Sequence, residues 1–206
     1  MTIDDNVCGG IQTESNWVRG DWMHTFTGRA FYPLDPRPDD IDERDIAHAL
    51  SLVCRYGGHV KRFYSVAEHC VHIATYLLDT TGDAHLALWG LLHDAPEAYV
   101  GDMVRPLKRQ IPQYQKIENG IMVAIAEKYG LPREDIFSVD LPAAVKDADN
   151  RILLTEKAAL LSEPEIPWHP FFDTIEPLPV QIYGWSPVEA ERVHLGTLRA
   201  LLEVTR

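Results

Sequence analysis

An apolar helical run that leads straight into His93-Asp94 constrains this chain more than any other stretch. Ala87, Leu88, Trp89, Leu91 and Leu92 need a core to bury them, and the run then delivers His93, Asp94, Glu97 and Gly101-Asp102 at its end. Polar groups in that position are costly to bury unless they bind something. A divalent cation accounts for a His-Asp pair there, because it offsets the carboxylate charge and takes the neutral imidazole nitrogen. Pro96 kinks or restarts the helix, so His93-Asp94 is expected at a bend. Standing alone, adjacent His and Asp more often mean a core histidine with an ordinary hydrogen bond. The rest of the chain decides between the two.

That rest reads as one α-helical domain over residues 1–206 with a small β decoration near the front. Residues 1–20 are polar and aperiodic and are expected to be loosely ordered. Asp21 to Tyr32 is rich in aromatics and Thr, with Gly28-Arg29 in the middle, and predicts two short strands around a turn; Pro33 to Asp40 is a rigid connector. Apolar residues at helical spacing predict a first helix over Asp42 to Cys54, stopped by Arg55-Tyr56-Gly57-Gly58. Ser65 caps the next, with Glu68 as its capping-box partner, and that helix runs to about Asp79. Further helices are expected at Ala84 to Leu92, Pro112 to Tyr129 and Pro142 to about Leu161. Ser162 to Gly184 reads as an extended loop, and Ser186, Pro187 and Glu189 open the last helix.

The chain of 206 residues carries a net charge of −12, which disfavours tight binding to nucleic-acid polymers. A small anion remains acceptable where cations gather, as Arg105, Lys108 and Arg109 do. Three cysteines without a CxxC pair argue against a disulfide framework or a zinc ribbon and fit a reducing compartment. Asp4 and Asp5 stand where a signal peptide would be basic, and no apolar run approaches a membrane span, so a cytoplasmic protein is expected.

Two other segments supply partners for His93-Asp94. Val66-Ala67-Glu68-His69 sets His69 early in one amphipathic helix, and Lys146-Asp147-Ala148-Asp149 sets Asp149 on the apolar stripe of another. His69, His93, Asp94 and Asp149 could meet inside a bundle, which is how bundle metal sites are built. Mixed nitrogen and oxygen donors suit one divalent transition metal, Mn, Fe, Co, Ni or Zn, rather than Ca.

Arg55-Tyr56, His69, His93-Asp94, Glu97, Gly101-Asp102 and Asp149 follow, in order, a pattern that resembles the HD-domain metal-dependent phosphohydrolases. The likeness covers roughly Asp42 to Ser162 and is nearest to the bacterial 5′-deoxynucleotidases and the phage enzymes that hydrolyse deoxynucleoside triphosphates. It implies an all-α HD-type helical bundle in which His69, His93, Asp94 and Asp149 hold the metal. It also implies that Glu97 positions or deprotonates the attacking water, that Arg55 contacts the phosphate, and that Asp102 lies near the sugar and leaving oxygen. The implied activity is cleavage of (deoxy)nucleotide phosphate esters, 5′-nucleotidase-like. The alternatives are a nucleoside triphosphate triphosphohydrolase and a non-catalytic nucleotide-binding module. A small-molecule nucleotide is the expected partner, and self-association is common among such proteins. Tyr56 stands where the nucleotidases carry Trp, and the Trp22–Tyr32 and Ser162–Gly184 segments have no counterpart in the shortest members.

Two-metal branches of that family place further histidines between the HD pair and the last Asp; none lies between Asp94 and Asp149. Lys108, Arg109 and Lys146 are as readily solvated charges as phosphate contacts, with Lys108 and Lys146 kept as substrate-binding candidates beside Arg55, Tyr56 and Asp102. His72 and the six remaining histidines read as ordinary.

Overall fold

The computed structural model describes residues 19–132 and 140–205. The expectation for residues 1–18 lies outside them. The described chain is mostly helical, with one two-stranded antiparallel sheet. Strands β1 (Met23–His24) and β2 (Ala30–Phe31) pair Met23 with Phe31 and His24 with Ala30. Their turn is pinned to the first helix, because the Asp45 carboxylate accepts from the Thr27 backbone N–H at 2.7 Å and its hydroxyl at 2.9 Å. Arg19 secures the proline-rich connector by donating to Asp35 at 2.9 Å and to Asp40.

Helices α1 (Glu43–Leu52), α2 (Val66–Thr81), α3 (Ala84–Leu92), α4 (Glu97–Val100), α5 (Arg105–Lys108), α6 (Pro112–Tyr129), α7 (Ala143–Leu160) and α8 (Pro187–Thr205) follow in order. None is long and apolar enough to cross a membrane. Three caps explain where the early helices start: Asp42, Ser65 and Asp83 each accept a backbone N–H from the first turn. At the other end of α2, Gly82 takes a left-handed conformation with φ of 69°.

Helix α2 forms the axis of the core. Its first nine residues are all buried, polar Glu68, His69 and His72 included, and it packs on α1, α3, α7 and α8. Gly90 faces α2 from α3. A methyl group there would sit 2.8 Å from a Leu77 methyl and 3.0 Å from one of Ile73, so a side chain at this position would force those two to shift.

Two local expectations are corrected. Helix α1 ends at Leu52, not Cys54, because Val53 and Cys54 turn extended and Cys54 forms a β-bridge with Ser65. Arg55 therefore opens a separate 3-10 turn (Arg55–Gly58) instead of ending the helix. Nor does Glu68 complete a capping box. Its carboxylate accepts three backbone N–H groups from a distant segment: Tyr183 at 2.8 Å, Gly184 at 2.9 Å and Trp185 at 2.6 Å. Burial alone would raise its pKa, yet the bonds from His72 and these three N–H groups hold it below the usual carboxylate value. The long 162–184 loop, which includes a 3-10 turn at Pro170–Thr174, is thereby fastened to α2.

Candidate metal centre

His69 enters from the first turn of α2, fully buried. His93 caps the C-terminus of α3, and Asp94 begins the turn that leads to α4, so the bend expected at this pair is present. Asp149 stands two turns into α7. These elements bring the four side chains together. His69 Nε2 lies 3.4 Å from Asp149 Oδ1 and 3.7 Å from Asp94 Oδ2; His93 Nε2 lies 3.3 Å from Asp94 Oδ2 and 4.0 Å from Asp149 Oδ1. Donor atoms around one ion with bonds of about 2.0–2.2 Å stand roughly 3–3.5 Å apart, so this spacing is close to that of a ligand set.

The orientation of the imidazoles supports the same reading. His69 turns its Nδ1 to Glu156 Oε1 at 2.6 Å, and His93 donates its Nδ1–H to the Gly90 carbonyl at 2.8 Å. Both Nε2 atoms are buried and lack a hydrogen-bond partner, although each lies near a carboxylate. Metal-binding histidines commonly use the second ring nitrogen in this way, which leaves the first free to bind. His69, His93, Asp94 and Asp149 could therefore hold a metal ion.

The electrostatics fit a site that wants positive charge. Burial would raise the Asp94 carboxyl, but His93, His69 and Arg55 outweigh it and hold the group far below the usual range. Asp149 is lowered too, against its burial, by His69 and His93. Burial would lower His93, but Asp94 and Cys70 overcome it and push the imidazole well above its ordinary value. A proton and a metal ion compete for such a lone pair.

Glu97 opens α4 with its side chain buried and Oε2 unpartnered. Burial first, then the charges of Asp94 and Asp102, push its carboxyl well above the ordinary carboxylate value. Asp102 is raised mainly by burial, with Arg55 opposing. The Arg55 guanidinium reaches inward, 3.3 Å from Asp94 Oδ2 and 3.4 Å from Glu156 Oε2. Tyr56 donates its hydroxyl to Glu156 Oε2 at 2.5 Å and is the one described non-glycine residue with a positive φ, at 58°. Holding a bulky residue there costs on the order of 1–3 kcal/mol.

The remaining candidates are distributed less simply. Lys108 is committed to Glu118 at 2.5 Å, and Lys146 is exposed on α7 with no described hydrogen bond or ion pair to the cluster. Arg109 likewise shows no described link to it. Besides Arg55, Arg105 borders the cluster, with Nη2 3.5 Å from Asp149 Oδ2 and its side chain half exposed. Sequence reasoning missed Glu156. It lies seven residues after Asp149, on the same helical face, and that spacing is the signal that could have found it. A cavity of about 460 Å³ bordered by Arg29, Asp42, Arg44, Lys128 and Tyr129 shares no residue with the cluster.

No family model matches the chain. Among curated proteins, the uncharacterized protein YfdR of Escherichia coli strain K12 is 41% identical over 139 residues, 68% of this chain and 72% of YfdR. The chain belongs to the YfdR family. A second relative is the uncharacterized protein RCAP_rcc00048 of Rhodobacter capsulatus, 32% identical over 177 residues that span 84% of this chain and 78% of that protein. Neither relative's name states an activity.

Proposed function

We propose that this chain is an HD-type, metal-dependent phosphohydrolase that cleaves phosphate esters of (deoxy)nucleotides, with 5′-nucleotidase-like action. One observation carries this reading: two buried imidazoles with free Nε2 atoms converge on two carboxylates, beside a buried acid and an inward-facing arginine. His69, His93, Asp94 and Asp149 would hold a divalent transition metal. When bound, such an ion withdraws charge from phosphoryl oxygens and acidifies water.

The chain's own residues supply the rest. Glu97, buried beside Asp94 with Oε2 unpartnered, takes the proton of the attacking water. Arg55 presents planar N–H donors to a phosphate oxygen pair, and its ties to Asp94 and Glu156 fix its direction. Asp102, near enough to Arg55, Asp94 and His69 to feel their charges, would lie near the sugar and the leaving oxygen.

A triphosphohydrolase is the second reading, and Arg105 favours it, because a half-exposed guanidinium beside Asp149 can meet phosphates beyond the first. Purified protein loaded with Mn, Co or Ni and assayed against common (deoxy)nucleoside mono- and triphosphates separates the two. Release of phosphate from monophosphates supports the nucleotidase, and release of triphosphate from triphosphates supports the second reading. No turnover of any nucleotide with any of these metals would overturn both.

A further inference from the structure

We infer that Glu156 is the positioning residue of this centre: one buried carboxylate on α7 orients His69 for metal and holds the Arg55–Tyr56 turn for substrate. The inference rests on the metal-centre reading above. Glu156 has no exposed surface, and its two oxygens serve different elements. Oε1 takes the Nδ1 side of His69 at 2.6 Å, which leaves the Nε2 lone pair facing Asp149 and Asp94. Oε2 accepts the Tyr56 hydroxyl at 2.5 Å and lies 3.4 Å from Arg55 Nε.

The second half of the arrangement explains the Tyr56 backbone. A tyrosine at φ of 58° and ψ of 25° persists only where its surroundings overdetermine it. The hydrogen bond to Glu156 is the contact that ties this side chain down, and Gly57 beside it shares the left-handed turn at φ of 59°. Arg55 is thereby turned inward towards Asp94 instead of into solvent. Glu156 touches neither the proposed metal nor the substrate, so its influence passes through His69, Tyr56 and Arg55.

Two variants separate its two roles. Glu156→Gln keeps the size but removes the charge that supports His69 and steadies Arg55. It is expected to weaken Co(II) binding about 10–100-fold, the usual effect of losing such a partner, and to change the Co(II) visible spectrum. Tyr56→Phe leaves the His69 contact in place, so Co(II) affinity should stay within about twofold while KM for the phosphate ester rises more than kcat falls. In metal-free wild-type protein at alkaline pH, nitrogen NMR of His69 should show the Nδ1-protonated tautomer, a readout independent of variant folding. Wild-type Co(II) affinity and spectrum in folded Glu156→Gln overturn the inference alone, as does the Nε2-protonated tautomer. A wild-type protein that takes up no metal overturns the metal-centre reading, and this inference with it.

Discussion

His194 offers a test of the core that needs no substrate. It lies fully buried on α8 where that helix packs on α1, α2 and α3, and neither ring nitrogen has a hydrogen-bond partner. Burial pushes its pKa from 6.5 down to about 4; the nearby Leu91 carbonyl favours the proton slightly but stands outside hydrogen-bond geometry. The folded chain therefore keeps the ring neutral, whereas the unfolded chain takes up a proton near pH 6.5. Stability from this source is fully present above that pH and is lost as pH falls towards 4. The whole effect is worth about 3 kcal/mol, and about 2 kcal/mol of it disappears between pH 7.5 and pH 5. Urea unfolding of wild type and His194→Leu in EDTA, at several pH values in that range, isolates it. EDTA removes any metal contribution, and His93 and the carboxylates titrate in both proteins and cancel. Wild type should lose about 2 kcal/mol more than the variant on acidification. Parallel curves would mean that the ring is charged or hydrated in the fold, and the argument would be wrong.

Four further outcomes are expected. Glu97→Gln should retain Co(II) binding by calorimetry yet lose about 10²–10⁴-fold in kcat, the usual contribution of a general base; unchanged turnover would exclude it. Arg55→Lys should lose nearly as much kcat/KM as Arg55→Ala, because an ammonium cannot reproduce the fork. Arg55→Ala should in addition cost about 3–5 kcal/mol in urea unfolding, since it strips a buried partner from Glu156; an Arg55→Lys enzyme with full kcat/KM would refute the grip. Removing metal from protein held at a hundredfold excess over Kd should lower Tm by about 5–10 °C, from a loss of about 2.7 kcal/mol. Glu68→Ala should open the 162–184 loop to limited proteolysis and cost on the order of 3 kcal/mol, because three backbone N–H groups lose their acceptor; wild-type resistance to protease would show that the fastening is incidental.

The parts of the fold that depend on nearby residues were legible in the sequence. Ser65 and Ser186 act within a turn of where they stand, and α3 and α6 begin and end where their apolar spacing and proline or glycine signals place them. The meeting of His69, His93, Asp94 and Asp149 was also legible, because His69 and Asp149 interrupt apolar stripes and His93-Asp94 ends an apolar run. What escaped depends on distant partners. Glu68 carries the local signature of a capping box, but three N–H groups more than a hundred residues away outcompete it. Glu156 shares a helical face with Asp149, but its role depends on Tyr56, Arg55 and His69, which arrive from elsewhere. Arg55 was read as a helix terminus because Tyr56-Gly57-Gly58 resembles a stop signal, whereas the bridge from Cys54 to Ser65 had already ended the helix.

Gly90 ties two properties to a single residue. Its bare α-carbon sets how near α3 comes to α2, and its carbonyl aims His93, so the distance and the angle between the two imidazoles, 5.3 Å from centre to centre, share one origin. Helix packing, not a pliable ligand loop, gauges this centre. With an ion bound, that packing would set the size of the site, and a side chain added at Gly90 would press on Ile73 and Leu77 as well. A substitution at Gly90 would then be felt in the core and at the candidate metal centre together.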